Sequence, residues 1–436
     1  MDRSGPGVNR SGVSAPAVAV LRRVFQVRLR AEGRKVIHEA QRCGRKGDHL
    51  ALNPKRTVGL DIGSSVVKAV QLKKAGRGYE LEKFGIAEIY PGVDKRSAGV
   101  NRREARIEAV KQAMANGGIS AKFAVSAVSG ETIIIRYIQL PDMPENELKG
   151  AIRWEAEDYI PFPLDDVFLD SMILGRGDVG GAAKIDVLLV AAKKELVGEH
   201  MELLKAADLQ PAIVDVDSFA FLNCFEANYL PNASEVVALL NLGAEITNIN
   251  IYIGGVSRFS RDIAVAGDAI SQGIQQRLNC SFSRAEELKF KEGAPVAGGA
   301  DEMDADVVGG SSLLDTIRGT VEKITGEDLA EDSPEFVAGT VTKNTLANLV
   351  GEIRRSIQFF ENQPNGKPVQ RVAIGGGTAS LRNLDQYLAR ELSLPVELID
   401  PLRNIGFAGA AAEKAKLEKA RPMLAVGIGL ALRAFD

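Results

Sequence analysis

The chain has 436 residues, of which 45% are hydrophobic and 25% charged, a composition typical of a globular protein with two or three domains. It contains no run of about 18 apolar residues, and its three cysteines lie far apart. The sequence therefore predicts no membrane-spanning helix, disulfide framework or zinc site, and it favours a reducing cytoplasm. The net charge of −3 conceals an asymmetry, because residues 1–56 carry 13 Lys and Arg against 4 Asp and Glu.

This basic head allows more than one interpretation. The simplest is a disordered extension, which includes the case of an upstream start that adds non-native residues. The sharper alternative is an arm that contacts anionic lipid or nucleic acid. A secretory signal is disfavoured because the apolar patch Ala15–Leu21 is short and an Arg-rich stretch follows it. We predict a disordered extension over residues 1–56 and expect no nucleic-acid partner.

From Thr57 onward, the apolar pattern predicts a first α/β lobe with a smaller unit inserted into it. A three-strand meander opens the lobe, with turns at residues 63–64 and 75–78. The next predicted elements are helix Arg102–Asn116, strands Phe123–Val128 and Thr132–Gln139, a helix from Glu145 to Pro161, strands Val167–Leu174 and Ile185–Ala191, helix Lys194–Ala207 and strand Ala212–Val216. The predicted divisions are 57–137 for the first part of lobe 1, 138–211 for an inserted small α+β subdomain, and 212–232 for the return to lobe 1.

The second half, residues 233–436, repeats the theme as lobe 2. A strand at Val236–Leu240, a hairpin and a third strand again form a meander. The next predicted elements are helices Asp268–Leu278, Arg284–Glu292 and Thr345–Asn362, then a strand, glycine-rich turn, helix and strand over residues 369–398. A small subdomain is predicted at about 264–345, and it includes a mobile insert at 293–340 where periodicity is weak. Two such halves suggest an internal duplication around a central cleft.

The two meanders share a turn sequence, LDIGSS beginning at Leu60 and LNLGAE beginning at Leu240. A glycine at such a turn lets backbone N–H groups converge on phosphate oxygens. Two turns that face each other across a cleft would hold the β- and γ-phosphates of a nucleotide. Asp61 would meet a hydrated Mg²⁺, and Lys68 would add positive charge. An ordinary tight turn is the alternative for one copy, but the second copy disfavours it.

A glycine triplet at 375–377 and Thr378 follow the predicted strand RVAI. The bare backbone would let a flat ring lie on it, and the alternative is a helix N-terminal loop capped by Thr378. The spacings GxGxxG and GxxxxGK[ST] are absent here, so neither a dinucleotide site nor a P-loop is predicted. In SRAEELK, Glu286 and Lys289 share one helix face, which fits either a surface ion pair or contact with ribose and adenine.

In this combination and order, the sequence resembles the actin-like ATPase superfamily, and within it the PilM family of type IV pilus assembly, which is related to FtsA. The resemblance covers about Thr57 to Arg433. It is carried by TVGLDIGSSVVKAVQL, ELKGAIRWEAEDYIPFPLDDVFLD, DVDSFAFLNCFE, LNLGAEITNINIYIGG, AEELK and GGGTASLRNLDQYLARELSLPVEL. It implies an α/β, actin-like two-lobed ATPase fold of duplicated RNase H-like domains, with an FtsA-like relocated small α+β subdomain.

The resemblance implies ATP and Mg²⁺ as cofactors and a role for each matching position. The implied nucleotide positions are Asp61, Gly63, Ser64, Ser65 and Lys68 in the first phosphate motif, Gly243, Ala244 and Thr247 in the second, Glu286 and Lys289 on the ribose helix, and Gly375, Gly376, Gly377 and Thr378 in the adenosine motif. Asp61 and Asp217 are the implied Mg²⁺ positions, through water. Asn241, the third implied catalytic position, stands where many relatives carry Asp. An amide cannot accept a proton as a carboxylate does, so we predict slow or negligible hydrolysis.

The resemblance also implies a protein partner. In PilM-like proteins the cleft beside the small subdomain receives the cytoplasmic N-terminal tail of PilN, an inner-membrane protein. The predicted groove residues are Trp154, Tyr159 and Ile160, although core packing of the aromatic residues is the alternative. Further implied partners are the inner-membrane platform, the motor ATPases and a second copy of the chain. These partners would place the chain in the cytoplasm, at the inner membrane without direct insertion.

The predicted function is thus a cytoplasmic ATP-binding scaffold of pilus assembly whose partner binding depends on nucleotide. An active ATPase or sugar kinase is the first alternative, but no convincing catalytic Asp or sugar pocket accompanies the motifs. An FtsA-like filament former is expected to carry a C-terminal amphipathic helix, which the sequence does not show after Arg433. A chaperone is expected to carry a peptide-binding β-domain after lobe 2, and none is predicted.

Overall fold

In a computed structural model, the described part of the chain comprises residues 27–28, 52–97, 99–130, 132–179, 182–229, 232, 234–296, 333–363 and 366–435. Within these ranges the strands are β1 (Val27–Arg28), β2 (Thr57–Ile62), β3 (Val66–Ala75), β4 (Gly78–Glu88), β5 (Phe123–Val128), β6 (Ile133–Pro141), β7 (Val167–Val179), β8 (Ala182–Lys193), β9 (Gln210–Val216), β10 (Val236–Leu242), β11 (Thr247–Ile253), β12 (Val256–Ile263), β13 (Arg371–Gly375), β14 (Val396–Leu398) and β15 (Ile405–Phe407). The helices are α1 (Arg102–Asn116), α2 (Glu145–Tyr159), α3 (Lys194–Ala206), α4 (Asp217–Tyr229), α5 (Gly267–Leu278), α6 (Phe282–Glu292), α7 (Pro334–Glu361), α8 (Leu384–Leu392), α9 (Ala411–Ala420) and α10 (Ala425–Leu432).

Lobe 1 is built on a seven-stranded sheet in the order β1-β9-β5-β2-β3-β4-β15. Strands β2, β3 and β4 form the predicted antiparallel meander, and β5 lies parallel to β2. Helices α1 and α3 cover the face that buries Leu60 and Val67, and α4 and α10 cover the face that buries Val70. The alternation of side chains along β2 and β3 gives each face its own apolar layer.

Lobe 2 repeats this plan on a five-stranded sheet in the order β12-β11-β10-β13-β14. Strands β10, β11 and β12 form an antiparallel meander, and β13 lies parallel to β10 as β5 does to β2. Helices α5 to α8 bury one face of this sheet. Helix α4 packs against the other face, and its Phe221 and Phe225 join the cores of the two lobes. The topology therefore contains the duplication that the sequence predicts.

A three-stranded sheet, β6-β8-β7, forms a small subdomain beside lobe 1. Helix α2 packs on one face of this sheet, and the other face packs on lobe 1 through Phe168 and Leu188. The subdomain covers residues 133–193, whereas the predicted insert covers 138–211. The difference arises because β6 pairs with β8 from Ile133 onward and because α3 packs in the core of lobe 1 beside α1.

The predicted mobile insert at 293–340 is wrong at its C-terminal end. Helix α7 begins at Pro334 instead of at the predicted Thr345, because Ser333 caps the helix and proline suits its first turn. The preceding residues 297–332 lie outside the described part of the chain.

The predicted basic head, residues 1–56, lies mostly outside the described residues. Its described parts are β1, which pairs antiparallel with β9, and residues 52–56, which form a short turn capped by Asn53. The side-chain amide of Gln71 donates a hydrogen bond to the carbonyl of Lys55 over 3.0 Å. Contacts with lobe 1 are therefore made at Val27–Arg28 and again at residues 52–56, before the predicted boundary at Thr57.

Candidate nucleotide-binding site

The two repeated turns face a common cleft between the lobes. The cleft has a volume of about 270 Å³ and is lined by both turns, the glycine-rich corner after β13, and residues of α1, α3 and α4. In the first turn the N–H of Gly63 donates to the carbonyl of Val66 over 3.2 Å, and in the second the N–H of Gly243 donates to the carbonyl of Ile246 over 3.0 Å. The same hydrogen bond therefore closes both turns, 180 positions apart (243 minus 63).

The strands around each turn carry a matching pair of polar side chains. Asp61 and Lys68 are register partners in β2 and β3, and Lys68 Nζ lies 3.1 Å from Asp61 Oδ2. Their counterparts Asn241 and Asn248 are register partners in β10 and β11, and Asn241 Nδ2 donates to Asn248 Oδ1 over 3.0 Å. Lobe 2 thus keeps the position of the pair but replaces an ion pair with two amides.

Asp217 begins α4 directly after β9 and lines the cleft. Burial and repulsion from the Asp61 carboxylate raise the pKa of Asp217 to about 7, against the opposing effects of the Ser129 hydroxyl and Lys68. Two neighbouring carboxylates that repel each other suit a divalent cation, which would relieve the repulsion.

Asp61 and Asp217 therefore fit the Mg²⁺ that the fold family implies. Among the described residues no three His, Cys, Asp or Glu side chains form a metal-binding group, so the fit requires water and phosphate oxygens as further ligands.

The glycine-rich corner approaches the second turn closely. Gly376 has a φ of +94°, and a Cβ there would lie 2.5 Å from the carbonyl oxygen of Leu242 and 2.7 Å from Asn241 Oδ1, so the position requires glycine. Gly377 has helical backbone angles, and a Cβ there would meet nothing within 4 Å. Because Gly377 also lines the cleft, its bare backbone is open to a ligand.

Three predicted ligand-contact residues are absent from the cleft lining and instead hold its walls. Gly375 is buried in β13. Thr378 is also buried, and its hydroxyl donates to the carbonyl of Gly243 over 2.6 Å. Thr247 is buried, and its hydroxyl donates to the carbonyl of Val265 over 2.8 Å. Thr378 and Thr247 therefore brace the second turn.

The predicted ribose pair on α6 also lies outside the residues that line the cleft. Lys289 is buried, and its Nζ lies 2.5 Å from Glu286 Oε1 and 3.0 Å from Ser271 Oγ. Ser271 belongs to α5, whose first residue, Gly267, donates its N–H to the carbonyl of Gly243 over 3.2 Å. The pair thus supports the helix that braces the second turn, and its contact with ribose stays a prediction.

Several cleft-lining side chains have no counterpart among the predicted site residues. They include Arg106, Ser129, His200 and Asn248. Asn248 could have been found from the repeat, because it lies 180 positions after Lys68. Arg106 and His200 belong to helices without a recognisable motif. Burial and the positive charge of Arg106 lower the pKa of His200 to about 4, so its imidazole is neutral at physiological pH.

Helix α2 presents two aromatic residues to solvent. Trp154 is 72% exposed and Tyr159 is 40% exposed, so neither is a core residue. Ile160 is only 5% exposed and packs between α2 and the three-stranded sheet. Its prediction as a groove residue is therefore wrong, because it lies on the inner side of the helix end. Trp154 and Tyr159 stay as the predicted contact residues of a partner.

Comparison with known proteins identifies the family. The type IV pilus assembly protein PilM family matches residues 59–300 and 319–435. The chain therefore belongs to the PilM family. A solved PilM–PilN type IV pilus biogenesis complex is similar with a TM-score of 0.67 and 27% sequence identity, over 87% of this chain and 99% of that one. The PilM-family chain thus has the actin-like two-lobed α/β fold, with its small subdomain beside lobe 1.

Curated relatives of this PilM-family chain are more distant. Cell division protein FtsA of Staphylococcus epidermidis is 22% identical over 276 residues, 57% of each chain. FtsA of Helicobacter pylori is 27% identical over 179 residues, 40% of this chain and 33% of its own. The chain therefore spans little more than half of the first relative and a third of the second. In the part of the chain that the structure describes, no helix combines the length and apolar character needed to cross a bilayer.

Proposed function

We propose that this PilM-family chain binds ATP with Mg²⁺ in the cleft between its lobes and acts as a scaffold of type IV pilus assembly. The observation that carries the nucleotide assignment is the pair of turns at Gly63 and Gly243, closed by the same hydrogen bond. Glycine turns of this kind direct backbone N–H groups at phosphate oxygens. The open backbone at Gly377 suits a flat purine. Bound Mg²⁺ would neutralise phosphate charge, with Asp61 and Asp217 holding it through water.

The residues beside the second turn are the reason to expect slow or negligible ATP hydrolysis. Asn241 cannot accept a proton from water as a carboxylate would. Its amide nitrogen is also committed to Asn248, whose own amide nitrogen donates to Asp262 over 2.6 Å. We expect little ATP turnover in the wild-type chain and roughly tenfold or more in Asn241→Asp. Fast turnover by the wild-type chain would contradict this part of the proposal.

The scaffold role rests on the small subdomain. The solved complex to which the chain is similar joins PilM to PilN, so we infer a partner of the same kind, a PilN-like inner-membrane protein that offers its cytoplasmic tail. Exposed aromatic residues such as Trp154 and Tyr159 suit an amphipathic or extended peptide. Through this partner the chain would lie in the cytoplasm at the inner membrane. The inner-membrane platform, the motor ATPases and a second copy are further proposed partners.

Contacts between the subdomain and lobe 2 would link nucleotide to partner. The Tyr137 hydroxyl lies 2.5 Å from Ser257 Oγ, and Arg258 Nη1 lies 3.1 Å from Asp186 Oδ2. Each contact joins the three-stranded sheet to β12 of lobe 2. If ATP closes the lobes, it changes the position of β12 against the subdomain and hence the shape of the surface that the partner meets.

Calorimetric titration tests both parts of the proposal. ATP with Mg²⁺ is titrated into the chain, with and without a synthetic tail peptide of the PilN-like neighbour. We expect ATP affinity to fall roughly tenfold or more in Lys68→Gln, because the charge beside the phosphates is lost, and to be unchanged in the surface control Lys111→Gln. Absence of ATP binding would refute the nucleotide assignment. Equal peptide affinity with and without ATP would refute the coupling alone.

A further inference from the structure

Arg106 brings into the cleft a positive charge that no described residue neutralises. It belongs to α1 and lines the cleft together with both turns. Its Nε is inaccessible to water and has no hydrogen-bond acceptor, and among the described residues no carboxylate forms an ion pair with it. Arg106 is partly exposed, but its buried Nε lacks an acceptor, and an unpaired buried donor of a cation favours a ligand that supplies negative charge. The arrangement therefore points to an anionic ligand.

The other basic side chains that line the cleft are either paired with a carboxylate or uncharged. Lys68 is already paired with Asp61 over 3.1 Å. His200 is neutral, and its Nε2 lies 3.0 Å from Ser126 Oγ, which in turn donates to a backbone carbonyl of β2 over 2.6 Å. His200 thus forms a fixed, uncharged wall beside Arg106. Within the described lining of the cleft, Arg106 is thus the cation without a carboxylate partner, whereas Lys68 shares its charge with Asp61.

Arg106 and the glycine-rich corner enter the cleft from opposite faces of the lobe 1 sheet. Helix α1 packs on one face, whereas Met423, which also lines the cleft, lies two residues before the start of α10 on the other. The N–H of Gly376 donates to the carbonyl of Pro422 over 2.8 Å, so the glycine-rich corner is tied to that second face. A nucleotide whose purine lies on Gly377 therefore directs its phosphate chain between the turns, towards Arg106.

We propose that Arg106 binds the terminal phosphate of ATP, so that the cleft distinguishes a nucleoside triphosphate from a diphosphate. This assignment rests on the proposed nucleotide binding and identifies the side chain that recognises the third phosphate. A guanidinium is suited to this role because its planar donors bind two phosphate oxygens at once and its charge persists at all physiological pH values.

The test compares affinities for Mg²⁺–ADP and for a non-hydrolysable Mg²⁺–ATP analogue, measured by calorimetry. In Arg106→Gln we expect the affinity for the analogue to fall by about tenfold to a hundredfold, while the affinity for ADP changes less than about threefold. Arg106→Lys should restore part of the loss, because an ammonium keeps the charge but not the paired donors. The matched control is Lys111→Gln, which removes an exposed charge from the same helix and should change neither affinity.

Three outcomes would overturn the proposal while leaving nucleotide binding intact. The first is an equal loss of both affinities in Arg106→Gln, which would assign Arg106 to a phosphate shared by ADP and ATP or to the shape of the cleft. The second is no loss of either. The third is Arg106-dependent binding of inorganic phosphate to the ADP complex without any effect of Arg106 on the analogue. A wild-type chain that binds neither nucleotide would instead refute the proposed function itself.

Discussion

The carboxyl group of Asp217 leads to a prediction about stability that can be tested without a ligand. Burial and repulsion from Asp61 raise its pKa from 3.8 to about 7 in the folded chain, and unfolding removes both effects. Between those two pH values the folded chain holds a proton that the unfolded chain has released. The free energy of unfolding therefore falls as pH rises through this window and becomes level above about pH 7. Asp217→Asn removes the titration and keeps the neutral shape.

The size of the effect follows from the shift in pKa. A rise from 3.8 to about 7 is roughly three units, and each unit corresponds to about 1.4 kcal/mol. Asp217→Asn should therefore be more stable than wild type by about 4 kcal/mol at pH 8. At pH 5, about one unit above the unfolded pKa, the gain should be only about 1–2 kcal/mol. The difference between the two pH values, about 2–3 kcal/mol, is the diagnostic quantity, because it cancels any effect of the amide that does not depend on pH.

Denaturant unfolding in EDTA at pH 5, 6, 7 and 8 measures this difference. The matched control is Asp165→Asn, which makes the same chemical change at a side chain that is 93% exposed and should show no such dependence on pH. A gain for Asp217→Asn that stays constant or shrinks from pH 5 to pH 8 would show that the folded chain ionises Asp217 normally. Added Mg²⁺ should stabilise the wild-type chain at pH 8 more than the variant.

Three further predictions concern the glycine-rich corner, a buried ion pair and the exposed aromatic surface. Gly377→Leu should keep the free energy of unfolding within about 0.5 kcal/mol of wild type but weaken ATP binding at least roughly tenfold by calorimetry. Gly376→Ala, in contrast, should unfold more readily, because its Cβ would overlap the second turn. Normal ATP affinity in Gly377→Leu would contradict a ligand on this backbone. Arg433→Met should lower the free energy of unfolding by about 3–5 kcal/mol, because it removes the partner that lies 2.7 Å from the buried carboxylate of Asp215. The double variant with Asp215→Asn should recover most of this loss in denaturant unfolding. Absence of recovery would assign the loss to packing. Trp154→Ala should leave the free energy of unfolding unchanged within about 0.5 kcal/mol and weaken binding of the tail peptide roughly tenfold, as measured by surface plasmon resonance. Unchanged binding would show that the partner binds at another surface.

The turns could be predicted from sequence because their information is local. A phosphate-binding turn needs glycine at one position and small or polar residues beside it, and hairpin pairing then fixes the partners across the strands. The register of Asp61 with Lys68 and of Asn241 with Asn248 follows from the turn length alone. The same reasoning also explains why Asn248 was within reach of prediction, since the repeat maps it onto Lys68.

The remaining features depend on packing between distant segments. Nothing near Arg106 or His200 in the sequence indicates that α1 and α3 bring them to the same cleft. The orientation of Ile160 depends on how α2 ends against the sheet, which helical periodicity does not fix beyond the last turn. The start of α7 is a different case, because Ser333 followed by proline is a local cap signal that the weak periodicity of the preceding stretch obscured.

A chain of hydrogen bonds suggests why the second turn carries an amide. Asn241 Nδ2 donates to Asn248 Oδ1, Asn248 Nδ2 donates to Asp262 Oδ1 over 2.6 Å, and the N–H of Gly130 donates to Asp262 Oδ2 over 3.0 Å. Gly130 lies in lobe 1, three residues before β6, the edge strand of the small subdomain. This series of hydrogen bonds thus connects the nucleotide cleft, across lobe 2, to the segment that leads into the small subdomain.

An aspartate at position 241 could accept a proton from water, but its carboxylate could not donate to Asn248, so the first hydrogen bond of this series would be lost. Asn241 therefore favours the connection between cleft and subdomain over hydrolysis. Under this reasoning Asn241→Asp should gain ATP turnover and at the same time lose the effect of nucleotide on peptide affinity. Titration of the tail peptide with and without a non-hydrolysable ATP analogue measures the second change. A variant that gains turnover and keeps the full nucleotide effect would show that the coupling runs instead through the contacts of Tyr137 and Arg258 with their partners across the lobes.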